Sequence, residues 1–396
     1  MAIDGREHRV LYRDPRFYAS FPSLTVPAAG RDADGAAVLV AFRRARDHRW
    51  LRGAAYQESA AGFNHVDHLD SRSQTMLLRL GPDAEPLGEV QGGGPGEPVM
   101  LPPDPQAADQ DASLLTLRDG RILLAGFRWY PVPAVEGEAL RAQGIGLTGS
   151  PLKTGDLYLF WGGYSRHSDD GGRSWTAHRD LPALPGHPDI LPGQRPFHGG
   201  AVRGRAVETP DGTILQTGYT HHPTTGTYAS HLFASADRGE SWVHRAIIAL
   251  DAEAKAGFCE TALHLDADGV LHAFHRTTGL GDHLATSRST DLGHSWEPWR
   301  RHAVVGHPYD ACPLPDGRLL LAGGYRHAPY GIRARVYDPR TQDPGDAPEI
   351  VLRDDGPAPD LGYPWAAVLP DGRAMVAYYI CDPAGRRGIE ATLFRP

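Results

Sequence analysis

Short apolar runs, each beginning at an Asp-Gly pair and separated from the next by polar sequence, recur along the 396 residues. They read DGAAVLVAF at Asp34-Gly35, DGRILLAGF at Asp119-Gly120 and DGTILQTGY at Asp211-Gly212. The same pattern returns as DGVLHAFHR at Asp268-Gly269, DGRLLLAGGY at Asp316-Gly317 and DGRAMVAYY at Asp371-Gly372. Asp-Gly between apolar strands signals a hairpin, because glycine accepts the backbone conformation the turn requires. The intervals of 48 to 92 residues predict one structural repeat with loop insertions, as in a propeller or a solenoid. Helix contributes little, at most a turn in AVEGEALRAQG at 134–144.

A second repeat is in phase with the first. SDDGGRSW at Ser168–Trp175, SADRGESW at Ser235–Trp242 and STDLGHSW at Ser289–Trp296 all obey S-x-D-x-G-x-x-W. The chemistry is that of a self-capped turn. The Asp carboxylate accepts backbone N–H groups, the Gly takes a positive φ, and the Trp covers the turn.

On these motifs the chain resembles the sialidase superfamily, whose Asp box this is. The resemblance spans essentially the whole chain. It implies an all-β fold, a six-bladed β-propeller of four-stranded antiparallel blades, formed by residues 1–396 as a single domain. The boxes then belong to the second, third and fourth blades, with a degenerate remnant near RVYDPRTQDPG in the fifth.

In such a ring the inner strands line the axis and their starts build one mouth. Counting eight residues back from each Asp-Gly gives Asp111, Arg203, Glu260, Pro308 and Tyr363, with Ser20–Pro22 as the first-blade equivalent. Polar, ionisable groups recur where a purely structural strand would start with Val or Thr. The second strands end at the same mouth, with Arg43, Arg44, Arg128, His221, His222, Arg276, Arg326, Tyr378 and Tyr379 among their last residues. His198 and His307 are further rim candidates.

The resemblance implies a tyrosine nucleophile activated by glutamate, an aspartate acid/base, and three arginines holding a substrate carboxylate. GYPWAAVLPDG resembles the nucleophile strand and assigns Tyr363. CETALHLDADG resembles the strand of its glutamate partner and assigns Glu260. Arg276 in HAFHRTTG and Arg333 in PYGIRARV resemble the second and third arginines. The acid falls in HVDHLDSRSQTMLL, as Asp70 or Asp67. The first arginine is absent, because Ser20-Phe21-Pro22 stands where Arg-Ile-Pro is expected. Arg43, Arg44 and Arg203 are the candidates to replace it. A neutral phenol suits a carboxylate-bearing substrate, since it gains charge only as the bond forms.

Composition narrows the classes further. Gly 47 and Pro 34 fit many short strands, and 41% hydrophobic residues suffice for a core. Net charge is −8 with no basic run, which argues against nucleic acid. A basic mouth on an acidic protein favours an anionic oligosaccharide as the partner. Cys259, Cys312 and Cys381 have no metal-ligand spacing, and a metal site at His65, Asp67, His68 and Asp70 is the minor reading of that stretch. MAIDGREHRV lacks an apolar leader and no segment has membrane-span length, so the expectation is a soluble cytoplasmic monomer without membrane contact or cofactor.

Three functions remain open on the residues alone. The leading one is a retaining exo-glycosidase of sialidase type acting on a terminal acidic or unusual sugar. A lyase on a uronic-acid glycan is the second, with His or Tyr as base. The third is a silent glycan-binding propeller in which the Tyr363–Glu260 hydrogen bond is structural and Arg276 merely neutralises a buried carboxylate.

Overall fold

The computed structural model describes residues 5–28, 35–46, 72–87, 96–149 and 157–396. Six antiparallel sheets follow one another in chain order, five with four strands and one with an added two-residue strand. The inner strands are Phe17–Thr25, Ala108–Thr116, Val207–Glu208, Gly257–Leu265, Tyr309–Pro313 and Gly362–Val368. Each pairs with the strand after its Asp-Gly turn, and the six turn glycines all take φ between 73° and 93°. The expected propeller is the observed one. The turn at 134–144 is a helix over Ala134–Ala142 in a loop of the second blade.

The ring closes with both chain ends. Glu7–Tyr12 is the outer strand of the sixth blade, paired with Arg387–Phe394 in register from Glu7↔Leu393. The first and sixth blades share the largest apolar cluster, including Tyr18, Phe21, Trp365 and Tyr379. Such closure leaves no open seam through which the ring could unroll.

Each Asp box follows the third strand of its blade. In the third blade Ser235 Oγ donates to Asp237 Oδ1 at 2.8 Å and accepts from the Gly239 amide at 2.8 Å. Asp237 also accepts the Ser241 amide and hydroxyl. These donors hold the Asp237 carboxyl down at about 2. The box tryptophans seal seams between blades. Trp242 packs on Leu123 and Ala125 of the second blade and donates Nε1–H to Ser165 Oγ at 2.9 Å.

Four inner strands share a further device. Register shifts occur between Ser20 and Ser23, Gln110 and Ser113, Cys259 and Ala262, and Gly362 and Trp365. Inside these bulges Phe21, Asp111, Glu260 and Tyr363 have φ of 56°, 52°, 39° and 50°. A non-glycine residue there costs roughly 1–3 kcal/mol. Its recurrence at one level of four blades marks that level as special.

Asp237→Ala removes the acceptor of three hydrogen bonds in an exposed turn. We expect urea denaturation to show a loss of about 1–2 kcal/mol with an intact ring. An unchanged midpoint contradicts the structural role of the box.

Candidate active site

The bulges bring three chemical groups together at the axis. Tyr363 Oη donates to Glu260 Oε1 at 2.5 Å. Arg276 Nη1 donates to Glu260 Oε2 and also to Tyr363 Oη, the latter at 3.0 Å. Glu260 and Arg276 sit on the two strands of the fourth-blade hairpin, and Tyr363 arrives from the sixth. Burial raises the Tyr363 phenol well above its ordinary value, and the Glu260 charge adds to this against Arg276. Burial alone would raise Glu260 too, but Arg276 and the hydrogen bonds it shares with Tyr363 hold its carboxyl below the ordinary value. At neutral pH a neutral phenol therefore faces a charged carboxylate.

Arg326 completes the cluster. Its guanidinium lies 5.5 Å from the Tyr363 ring centroid, with Nε on Leu361 O at 3.0 Å and Nη2 on Tyr379 Oη at 3.0 Å. Tyr379 donates in turn to Asp360 at 2.7 Å, which also accepts Tyr18 Oη at 2.9 Å and Arg387 Nε at 2.7 Å. Asp360 and Arg387 are wholly buried. No sequence signal singled out Asp360 except its place three residues before Tyr363. Arg333, the third arginine by resemblance, stacks on Tyr325 and bonds the backbone of Pro329, Ile332 and Arg353. None of these contacts reaches Tyr363, Glu260 or Arg276.

The first-blade position is filled differently. The Phe21 ring lies 4.6 Å from the Tyr363 ring and 5.3 Å from Tyr379. Ser20 pairs across the strand with Arg43, whose buried guanidinium lies 6.0 Å from the Phe21 ring. Arg203 stands beneath them on the axis. Its two terminal nitrogens donate to Phe21 O, Pro22 O, Ala112 O and Tyr363 O, tying the third blade to the first, second and sixth. Asp310 takes Arg205 in a two-point pair at 2.9 and 2.7 Å.

His307 lies 3.4 Å from Asp282. Burial, helped by Arg276 and opposed by Asp282, pushes its imidazole down to about 4, so it is neutral at pH 7. Arg128 pairs with Asp104 and Asp180 on the second blade. Asp67 and Asp70, with His65 and His68, lie outside the described residues. Beside the cluster an aromatic pocket of about 420 Å³ is lined by Phe127, Trp129, Phe160, Phe197, Tyr219 and Tyr228. Flat rings of this kind accept the apolar face of a sugar or an apolar substituent.

Asp111 is buried, and among the described residues its Oδ1 has no hydrogen-bond partner. Burial, with the Glu260 charge behind it, lifts its carboxyl to about 7 against the opposing charges of Arg203, Arg43 and Arg276. The folded protein thus keeps a proton that the unfolded chain releases near 3.8. The corresponding stability is full below pH 3.8 and is lost as pH rises toward 7. Asp111→Asn should match the parent at pH 3.5 and exceed it at pH 8 by a few kcal/mol, at about 1.4 kcal/mol per unit. Denaturant midpoints at the two pH values measure this, and a constant difference contradicts it.

Residues 153–376 match the family described as BNR repeat-like domain. A crystal structure of a protein of unknown function from Dyadobacter fermentans is 32% identical, with TM-score 0.83, covering 99% of this chain and 100% of that one. A mutant of the NanB sialidase from Streptococcus pneumoniae is 14% identical, with TM-score 0.60, over 98% of this chain and 70% of that one. Trypanosoma rangeli sialidase is 12% identical, with TM-score 0.58, over 98% and 59%. At these identities the two sialidases share the fold. No curated protein matches the chain. The repeats, the six blades and these matches together make the chain a member of the BNR repeat-like domain family, built as a sialidase-like six-bladed β-propeller.

Proposed function

We propose that the protein is a retaining exo-glycosidase acting on a terminal acidic sugar of an oligosaccharide. The observation that carries this reading is the Tyr363 phenol donating to the Glu260 carboxylate at 2.5 Å, with Arg276 bonded to both. Glu260 takes the phenol proton as Tyr363 attacks the anomeric carbon, so the nucleophile itself carries no charge before the bond begins to form. Arg276 stays on the pair while that charge moves. Arg276 and Arg326, two of the guanidinium groups beside Tyr363, favour an anionic substituent on the sugar. Asp70 or Asp67 is assigned the acid/base role, protonating the leaving oxygen and then activating the water that releases the sugar.

One observation keeps a lyase as the second reading. His307 is a neutral imidazole close enough to Arg276 and Glu260 to feel their charges. It could abstract a proton next to a uronate that Arg276 neutralises. Hydrolysis adds water to the products, whereas elimination leaves an unsaturated sugar that absorbs in the ultraviolet.

Purified protein is incubated with sialosides and uronate-capped oligosaccharides, and products are read by mass and absorbance. Hydrolysed acidic sugar is expected. Glu260→Gln should slow release roughly 10²–10⁴-fold, and folded Tyr363→Phe should release essentially none. Undiminished turnover by a folded Tyr363→Phe protein contradicts the mechanism, and an unsaturated product moves the assignment to the lyase.

A further inference from the structure

A cleft of about 570 Å³ lies on the flank of the second blade, away from Tyr363. One wall is Pro102–Gln106, the proline-rich segment leading from the first blade into the inner strand Ala108–Thr116. The other is made by the third strand Leu157–Ser168 and the short outer strand Arg179–Asp180, with Trp161, Trp175 and Arg195 at its edges. Prolines and tryptophan edges offer flat apolar surface to sugar C–H groups, and the volume is ordinary for a ligand site.

The three guanidinium groups of the cleft are not paired equally. Arg128 pairs with Asp104 at 2.6 Å and with Asp180, and Arg195 reaches the same Asp180 at 3.5 Å. Asp109 beneath them is bound to His178 at 2.9 Å. Of the three guanidinium groups, Arg128 and Arg195 therefore share Asp104 and Asp180, while Asp109 is taken by His178. Arg166 is the one left over. It is 2% exposed, and among the described residues its hydrogen bonding is a single bond of 2.7 Å from Nη1 to Pro102 O. Its guanidinium lies 5.8 Å from the Trp175 ring centroid, and its Nε has no acceptor among the described residues. Burial holds it below its ordinary pKa, against the raising effect of Tyr164, Asp109 and Asp104 nearby. Such a cation is costly unless an anion completes the site.

We propose that this cleft binds an acidic saccharide, with a uronate carboxylate on Arg166 and the sugar ring between the proline wall and Trp175. It is a second binding site, independent of chemistry at Tyr363. Its place on the blade flank, with Arg128 at the same level as the strand starts that carry Asp109 and Asp111, suits a longer acidic glycan held near the mouth.

The test uses the full chain carrying Tyr363→Phe, so that no ligand is consumed. The probes are a galacturonic-acid trisaccharide and the neutral galactose trisaccharide, followed by hydrogen exchange. The acidic probe should protect residues 102–106 and 175–180, and the neutral one should not. Arg166→Met should weaken that protection roughly tenfold or more in probe concentration. Arg195→Gln, at the more exposed edge, should weaken it as well and serves if Arg166→Met does not fold. Equal protection by both probes, protection insensitive to both variants, or none at millimolar probe overturns the proposal. Because the signal is read at the cleft, a failed glycosidase reading at Tyr363 leaves this result intact.

Discussion

The left-handed bulge in the inner strands is the constraint on which the site depends. A regular strand would send successive side chains alternately to the two faces of its blade. One extra residue at the mouth end breaks that alternation and re-aims the bulged side chain. Four blades do this at the same level, and the residues turned there are Phe21, Asp111, Glu260 and Tyr363. Three are ionisable, and the fourth supplies the ring against which Tyr363 packs. Backbone strain of this kind persists only when the surroundings hold it. Arg203 provides part of that hold, because its donors reach the carbonyls of Phe21, Pro22, Ala112 and Tyr363 at once.

Burial and pairing then divide the carboxyl groups into different protonation states. Glu260 and Asp111 are both buried near the axis. Glu260 has Arg276 and a phenol on it and stays charged, whereas Asp111, with no donor on its Oδ1 among the described residues, holds its proton to about 7. Behind them the Asp360 carboxylate pairs with Arg387 and accepts from Tyr18 and Tyr379. Because that carboxylate only accepts, the Tyr379 proton points toward it, and the oxygen lone pairs are left for Arg326. The position of Arg326 over Tyr363 is thus set from a carboxylate that does not itself touch the site.

Much of this was legible in the sequence because it repeats. Six Asp-Gly turns and three Asp boxes fix the blades, and counting back eight residues reaches Asp111, Glu260 and Tyr363. What repetition does not encode was not legible. Closure by Glu7–Tyr12 pairs residues more than 370 positions apart, as Glu7↔Leu393, and has no periodic signal. Resemblance assigned Arg333 beside the substrate, yet neighbouring carbonyls and Tyr325 hold it inside the fifth blade, while Arg326 occupies the place over Tyr363. Spacing alone could not separate them, because the choice depends on which backbone carbonyls lie within reach. The Ser20 substitution was visible, but the Phe21 ring on Tyr363 was not.

The central claim is that Tyr363 forms a bond to the sugar, and covalent trapping tests it most directly. Fluorine next to the anomeric carbon slows release of a glycosyl-enzyme, so the protein is incubated with 2,3-difluorosialic acid and with a difluorinated uronic acid. Peptide mass spectrometry then locates the adduct. The account predicts one sugar on the peptide containing Tyr363, lost in Tyr363→Phe. An adduct on Asp or Glu instead, or turnover of the parent glycoside with no trappable adduct on Tyr363, contradicts it.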